Sequence, residues 1–430
     1  MNIKNQAIKK EAVFNMTVTA KGHTLHHNGV FSPDGKWIVF DGRNDDTKIG
    51  ETSSIGIVHV ETGEEKVIYQ TENATVYGPG VGAASFSPSR DRVVFIHGLP
   101  NADQNKPYDM TRRTGIAVDL DKPLTPVFLD ARDLTAPYTP GSLRGGTHSH
   151  CWSGDGHMLS FTYNDELVEP QLRVVGVMVS QEGKVEVDEI AGNNHGEMYS
   201  AIVSDVVAEP RPGSDEINKA FDECWVGKKG YLTSDGRQVS HAIAFQGNVL
   251  NEGGEVVTEI FIVDIDAEKI KADAAAVGSE GERPKVPQGI QQRRLTYGAN
   301  VSDFRHWLRS SQDGQYIYAL AKDAKGNNQV ISCTVTNGEV SFVTDNPFSI
   351  ASPFNLCTES KKITFVAENN VFVYDIESHE HIQLTDNSLI DPKVAGAPCF
   401  SPDGSFVVYN QYEQINGEEY LQIKRVELSI

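Results

Sequence analysis

The sequence predicts an all-β fold, a seven-bladed β-propeller, and three observations predict it. A short turn phrase recurs seven times along the 430 residues. Each copy runs into apolar residues at every second position. The copies are spaced as four-stranded units are.

The clearest copies are FSPDGKWIVF at Phe31–Phe40 and FSPDGSFVVY at Phe400–Tyr409. Looser ones are FSPSRDRVVF from Phe86, WSGDGHMLSF from Trp152 and SSQDGQYIYAL from Ser310. Worn ones are TSDGRQVSHAIAF from Thr233 and CTESKKITFV from Cys357. Pro fixes φ, and Asp-Gly supplies a tight turn because Gly accepts positive φ without steric cost. Alternating Val, Ile, Phe and Tyr then read as a half-buried strand. Further strands end in acidic turns, as in IGIVHVETGE, IFIVDID and VFVYDIESHE.

The seven copies start near residues 26, 81, 147, 231, 305, 354 and 396. From Ser32 through Ser87, Ser153, Ser234, Ser311, Thr358 and Ser401 the spacings are 55, 66, 81, 77, 47 and 43. The last blades are compact and the middle ones carry insertions. The organisation expected is one propeller over residues 1–430, with insertions at about 98–147, 181–230 and 267–290. Within them, Pro210–Gly227 reads as a short helix capped by Ser214 or Asp215. Residues 267–290 read as a solvated excursion. An N-terminal strand near Val13–Ala20 is expected to close the ring by pairing with the last blade, which protects its edge.

Composition narrows the function classes. Hydrophobic residues make up 39% and charged residues 23%, enough for a real core. A net charge of −21 argues against broad nucleic-acid binding and against docking on anionic lipid. No run reaches the roughly 18 apolar residues of a membrane span. The opening MNIKNQAIKKEAVFNMTV lacks the apolar core of a secretory signal, so a cytoplasmic location is expected. Five scattered cysteines with no CxxC pair suggest neither disulfides nor a zinc ribbon. No P-loop, GxSxG elbow or GxGxxG fingerprint occurs, so no nucleotide cofactor is expected.

One constellation stands above this background. Five residues before the Ser of the turn phrase lie His27, His148 and His306, in the first, third and fifth copies. In a propeller these positions fall on innermost strands, around one channel mouth. His148 and His150, two apart on a strand, are expected on the same side and form half a site for a divalent metal. His27 or His306 completes it; of the adjacent His26 and His27, only one is expected to face the channel. Arg144 offers a bidentate fork for a carboxylate, beside Gly145-Gly146 where the backbone bends close to a ligand. Other histidines read as structural: His59, His97 and His241 as hydrogen-bonders, His379 and His381 as a solvated pair. The acidic stretch Asp41–Glu51 lacks the ligand spacing of an EF-hand and reads as a solvated loop.

These phrases resemble known families. The FSPDG copies resemble TolB-like propeller repeats. RGGTHSHCWSGDGHMLSFTYND, with PGSDEINKAFDECWVG and QQRRLTY, resembles the bacterial YidR-type propeller family over most of the chain. A more distant similarity is to oligogalacturonide lyase, a seven-bladed propeller that holds Mn²⁺ with a His-x-His pair and a Gln. His148-x-His150 matches that pair, while Gly145 stands where the Gln would be. Ulvan lyases, also seven-bladed, use His, Tyr and Arg without a catalytic metal.

The resemblance implies a lyase that cleaves uronic-acid-containing oligo- or polysaccharides by β-elimination. On that reading His148, His150, Arg144, Tyr199 and His195 are catalytic, the last two in an insertion overhanging the mouth. Arg112, Arg305 and Tyr163 bind substrate, and Arg112, Arg113, Arg144, Arg305 and Arg309 line a basic funnel. The metal set is His27, His148, His150 and His306, with Mn, Zn and Ca open as the ion. The expected partner is an acidic oligosaccharide, with no nucleic acid and no membrane. The competing expectation is a noncatalytic TolB-like propeller that binds a protein or peptide.

Overall fold

The structure, a computed structural model, describes residues 13–45, 47–298, 301–357 and 361–428. The N-terminal stretch read for a leader and the repeat turn at Thr358 lie mostly outside those residues. Seven antiparallel sheets follow one another along the chain as the blades of a propeller.

The repeat phrase builds the turn between the first two strands of a blade. In blade 1 the Ser32 hydroxyl donates to Asp34 Oδ1 at 2.7 Å and accepts from the Trp37 amide at 3.0 Å. Gly35 sits at φ 71°, which only a residue without Cβ adopts freely. Ser153 with Asp155, Ser311 with Asp313 and Ser401 with Asp403 repeat the arrangement. The side chains satisfy the turn's own amides, so the strands that follow start in a fixed register.

Blade 3 shows the plan: Gly145–Trp152 innermost, then Met158–Asp165, Arg173–Val179 and Tyr199–Ile202 outermost. Alternate residues of neighbouring blades interleave. Val94 and Ala117 of blade 2, for example, share a fully buried cluster with Leu159 and Phe161 of blade 3. Blade 7 takes its outermost strand from the other end of the chain, where Val13–Asn15 pairs antiparallel with Lys424–Val426. The ring closes there as the sequence led us to expect.

Blade 4 departs from expectation. Pro210–Gly227 is not a helix; Ile217–Trp225 is the innermost strand of the blade. Two bulges in that strand place buried residues at 217, 220, 223 and 224, a spacing that imitates a helical face. The turn at Thr233 caps a small hairpin, Tyr231–Leu232 with Gln238–Val239, set between the first and second strands. Val226, not Ser234, is therefore the counterpart of Ser153: its amide bonds the Ala242 carbonyl as that of Ser153 bonds Met158. The excursion at 267–290 is partly packed. Its helix Ala267–Ala272, capped by the Asp266 side chain, buries Ile270 completely.

Candidate functional site at the channel mouth

Innermost strands carry the site, and nearly all of them are bulged. Ala83, Ser149, Asp222 and His306 each adopt positive φ on an innermost strand, at 56°, 58°, 54° and 59°. Each lies within an interruption of strand register. A bulge adds a residue to one strand and re-aims the side chains after it. In blade 3, His148 pairs with Thr162 and Cys151 with Ser160, so Cys151 rather than His150 returns to the face of His148.

The expected His148–His150 pair is therefore not a convergent half-site. His150 Nε2 lies 3.0 Å from the Thr147 hydroxyl, and its ring packs on Gly115, where any Cβ would sit 2.8 Å from Nε2. Thr147 in turn donates to the buried Asp130 carboxylate at 3.2 Å. His150 is locked between blades 2 and 3. His148 is 6% exposed, and neither of its ring nitrogens has a hydrogen-bond partner. Burial first, and then the guanidiniums of Arg113 and Arg173, hold it neutral, with a pKa well below the ordinary imidazole range.

Blade 1 has the largest interruption. Its inner segment bridges the second strand at Thr24↔Asp41 and Phe31↔Ile38, with the Val30 carbonyl accepting from the Val39 amide, so residues 25–29 loop out of the sheet. That loop carries the His26–His27 pair to the axis. Both rings take part there, contrary to the alternation of a regular strand: their centroids lie 4.1 Å apart. His27 stacks on Trp307 of blade 5 at 3.9 Å and 11°. Arg309, also of blade 5, donates to the His27 carbonyl at 2.9 Å and reaches its Nδ1 at 3.2 Å. The Asn355 amide of blade 6 donates to the same carbonyl and to that of Pro398 in blade 7, at 2.9 and 2.8 Å. The channel is thus closed below its mouth by a floor built from blades 1, 5, 6 and 7. His306 borders this floor, its pKa lowered by burial and by Arg305 and Arg309.

Cations gather above the floor. Arg113 and Arg173 open the third strands of blades 2 and 3, and Arg305 is exposed beside His306. Among the described residues none of these three, nor Arg309, forms a salt bridge with a carboxylate, whereas ten other arginines do. The next inner strand supplies acids: burial raises Asp222 to about 6 and Glu223 to about 8. The Glu223 carboxylate lies near the Ser160 hydroxyl without hydrogen-bond geometry, and both its oxygens are buried and unpartnered. Sequence reading missed Trp307, Asp222 and Glu223. The one signal for the acids was their place in a segment whose bulges imitate a helix.

Five expected site residues lie elsewhere or are already engaged. Arg144 is 1% exposed; it bonds the Val277 and Glu282 carbonyls, faces Asp165 at 3.2 Å and covers the Tyr138 ring. It clamps the 267–290 excursion rather than a substrate. The Tyr163 hydroxyl, on a side chain 2% exposed, donates to Asp165. Arg112 is taken up by Glu166 and Asn101. Tyr199 begins the outermost strand of blade 3, where it packs on Gly141. His195 lines a cleft of about 550 Å³ with Val127, Phe128 and Asp188, against the outermost strand of blade 2. That cleft is three strands removed from the channel.

A family model described as a protein of unknown function, DUF3748, matches residues 80–195. The protein described as uncharacterized protein YidR, from Escherichia coli K12, is 36% identical over 421 residues, covering 94% of this chain and 96% of that one. The chain belongs to the YidR family. Among solved structures, an oligogalacturonate lyase in complex with manganese aligns over 98% of this YidR-family chain and 95% of its own, at TM-score 0.57 and 12% identity. The oligogalacturonate lyase of Vibrio parahaemolyticus aligns at TM-score 0.54 and 11% identity, over 98% and 94%. A puromycin hydrolase mutant aligns at 0.53 and 11%, over 93% of this chain but 51% of its own. At such identities the likeness is one of fold. Among the described residues no helix is long and apolar enough to cross a membrane.

A manganese-bound neighbour raises the question of a metal here. The expected set of His27, His148, His150 and His306 does not converge; the group that does is His26, His27 and Cys151, whose ligand-type atoms lie within 4.8 Å of one another. Its surroundings do not fit a divalent cation. A guanidinium can only donate, so Arg309 at His27 Nδ1 requires a lone pair there and places the ring proton on Nε2. A protonated nitrogen is not a ligand, and metal-bound imidazoles have the opposite arrangement, donating outward from the second nitrogen. Arg43 and Arg309 add positive charge around His26.

Proposed function

We propose that this propeller is a lyase that cleaves uronate-containing oligosaccharides by β-elimination at the channel mouth, without a divalent metal. The observation that carries the reading is a set of guanidiniums that form no salt bridge with a carboxylate among the described residues: Arg113 and Arg173 acting on His148, Arg305 beside His306, and the buried Arg309 of the floor, in a protein of net charge −21. Arginines left unpaired amid 59 acidic residues are suited to an anionic ligand. The like-folded oligogalacturonate lyase supports the choice of a uronate.

Elimination needs three services: neutralising the carboxylate, removing the proton on C5 and returning a proton to the departing oxygen on C4. Arg113 and Arg173 supply the first. His148, neutral and without a protein partner, takes the C5 proton as the C4–O bond breaks and the C4=C5 double bond forms. A bound carboxylate beside it raises its basicity, so substrate switches on its own base. Asp222, its carboxyl pushed up to about 6 by burial, is the acid for the departing oxygen.

The test is absorbance at 235 nm, which reports unsaturated uronates, on pectic, ulvan and glucuronan oligosaccharides with and without EDTA. We expect a rise with at least one substrate that EDTA leaves intact. A flat trace on all three with folded protein overturns the lyase in favour of a noncatalytic binding propeller. Activity abolished by EDTA and restored by Mn²⁺ overturns the metal-free mechanism.

A further inference from the structure

The floor of the channel holds hydrogen-bond donors with nothing to donate to. His27 is 4% exposed and its Nε2, which the Arg309 contact obliges to carry the proton, has no acceptor. Trp307 stacks on that ring, and its Nε1–H is likewise buried and unpartnered. Arg309 lies behind the pair and is bound only to neutral groups: the carbonyls of His27, Trp307 and Leu308, the ring of His27, and the Asn355 side chain. Leaving buried donors unmade costs about 1–3 kcal/mol each, so two on one stacked pair favour an acceptor between blades 1 and 5.

We infer that this floor is a carboxylate seat: His27 Nε2–H and Trp307 Nε1–H hold the acid oxygens of a sugar acid, with the Arg309 guanidinium as the charge behind them. The inference rests on the acidic-oligosaccharide reading and deepens it by naming where one acid group ends. Arg309 does double duty there. It supplies positive charge, and by fixing the tautomer of His27 it turns a cluster of metal-ligand type into an anion site. Most groups facing the seat are neutral or cationic, namely Arg309, Arg305, His26, His306 and the thiols of Cys151 and Cys399; Arg43 is paired with the buried Asp41, and the Asp222 carboxyl acts on Arg309 from the next inner strand.

The experiment is calorimetric and fluorescence titration of the whole protein with galacturonate and glucuronate, against galactose and glucose as neutral counterparts. Binding of an acid, with the matching neutral sugar at least tenfold weaker, is expected. Trp307→Phe keeps the stack and removes one donor; it should weaken the acid roughly tenfold, as loss of one hydrogen bond to a charged group does, with the melting temperature unchanged. Arg309→Gln should lose acid binding and gain Co²⁺, seen as a thiolate-to-cobalt band that the natural protein lacks. Equal binding of acid and neutral sugars, unchanged affinity in Trp307→Phe, or stoichiometric Co²⁺ or Mn²⁺ in the natural protein would each overturn the seat. Acid binding without any elimination sinks the lyase and spares the seat; elimination with Trp307→Phe affinity unchanged does the reverse.

Discussion

The Arg309 guanidinium and the His27 carbonyl meet at 2.9 Å across the propeller axis, although 282 residues separate them in sequence. Neither residue belongs to a neighbouring blade of the other. The contact exists because residues 25–29 leave their sheet, and it is held from the side by Asn355. Asn355 accepts from Arg309 Nε at 2.9 Å and donates to two carbonyls. Asn355→Ala should therefore cost about 2–3 kcal/mol, since it unmakes one charge-assisted bond and takes the donor from the buried Pro398 carbonyl, while the His27 carbonyl keeps its bond from Arg309. Urea denaturation measures it; a loss under about 1 kcal/mol would show that the floor reorganises freely.

The two histidines of blade 3 should separate by readout. His148→Ala is expected to lower turnover by roughly 10²–10⁴ with little change in melting temperature, as for a proton-transfer group. His150→Ala empties a buried interblade position and removes the ring's hydrogen bond to the Thr147 hydroxyl, so it should lower stability by about 1–3 kcal/mol and keep turnover in the molecules that remain folded. Full activity in His148→Ala ends its role as base.

Stability should pass through a maximum near neutral pH. Burial holds His26 at about 3, and lowers His148 too, so the stability these neutral rings contribute is present above their ordinary value near 6.5 and is lost as pH falls below it. Glu223 runs the other way. Its folded value is raised to about 8, so the folded state holds more protons than the unfolded one between the ordinary glutamate value of 4.5 and 8, and stability falls as pH rises through that window. Glu223→Gln should flatten the alkaline limb, with variant and natural protein alike near pH 5. An unchanged alkaline limb would remove Glu223 as its source.

Deleting residues 1–22 should lower the melting temperature by several degrees. It removes the outermost strand of blade 7 and the buried Met16, whose amide bonds Ile423 at 2.9 Å. The uncovered edge Glu418–Glu427 is ten residues long and open to pairing, so light scattering on heating should rise as well. An unchanged melting curve would mean that the ring does not depend on this closure.

The sequence disclosed the scaffold because the turn phrase is a self-contained device: Ser, Asp and Gly satisfy one another locally, wherever the copy stands. It hid the first strand of blade 4, where the phrase has migrated onto a hairpin and extra residues shift the period from two to three. At the site, the shared repeat position of His27, His148 and His306 was legible, and all three lie on innermost strands or segments. Which way His150 turns was not, because a bulge leaves no compositional mark. Nor could pattern reading show that Arg144, a plausible fork by type, meets a buried Asp165 and two carbonyls from a remote excursion. Exposed chemistry and clamp chemistry use the same residue.

The loop at residues 25–29 has one more effect, on the order of events as the chain is made. Its partners at 151, 307, 309 and 355 come from blades 3, 5 and 6, so the earliest blade waits for the late ones before its histidines have any surroundings. Contacts of such sequence separation form late, because the long intervening chain must first be ordered. A ribosome-bound or prematurely ended chain can display well-formed blades and still have no centre. In this molecule, competence is a sign that the whole polypeptide has arrived.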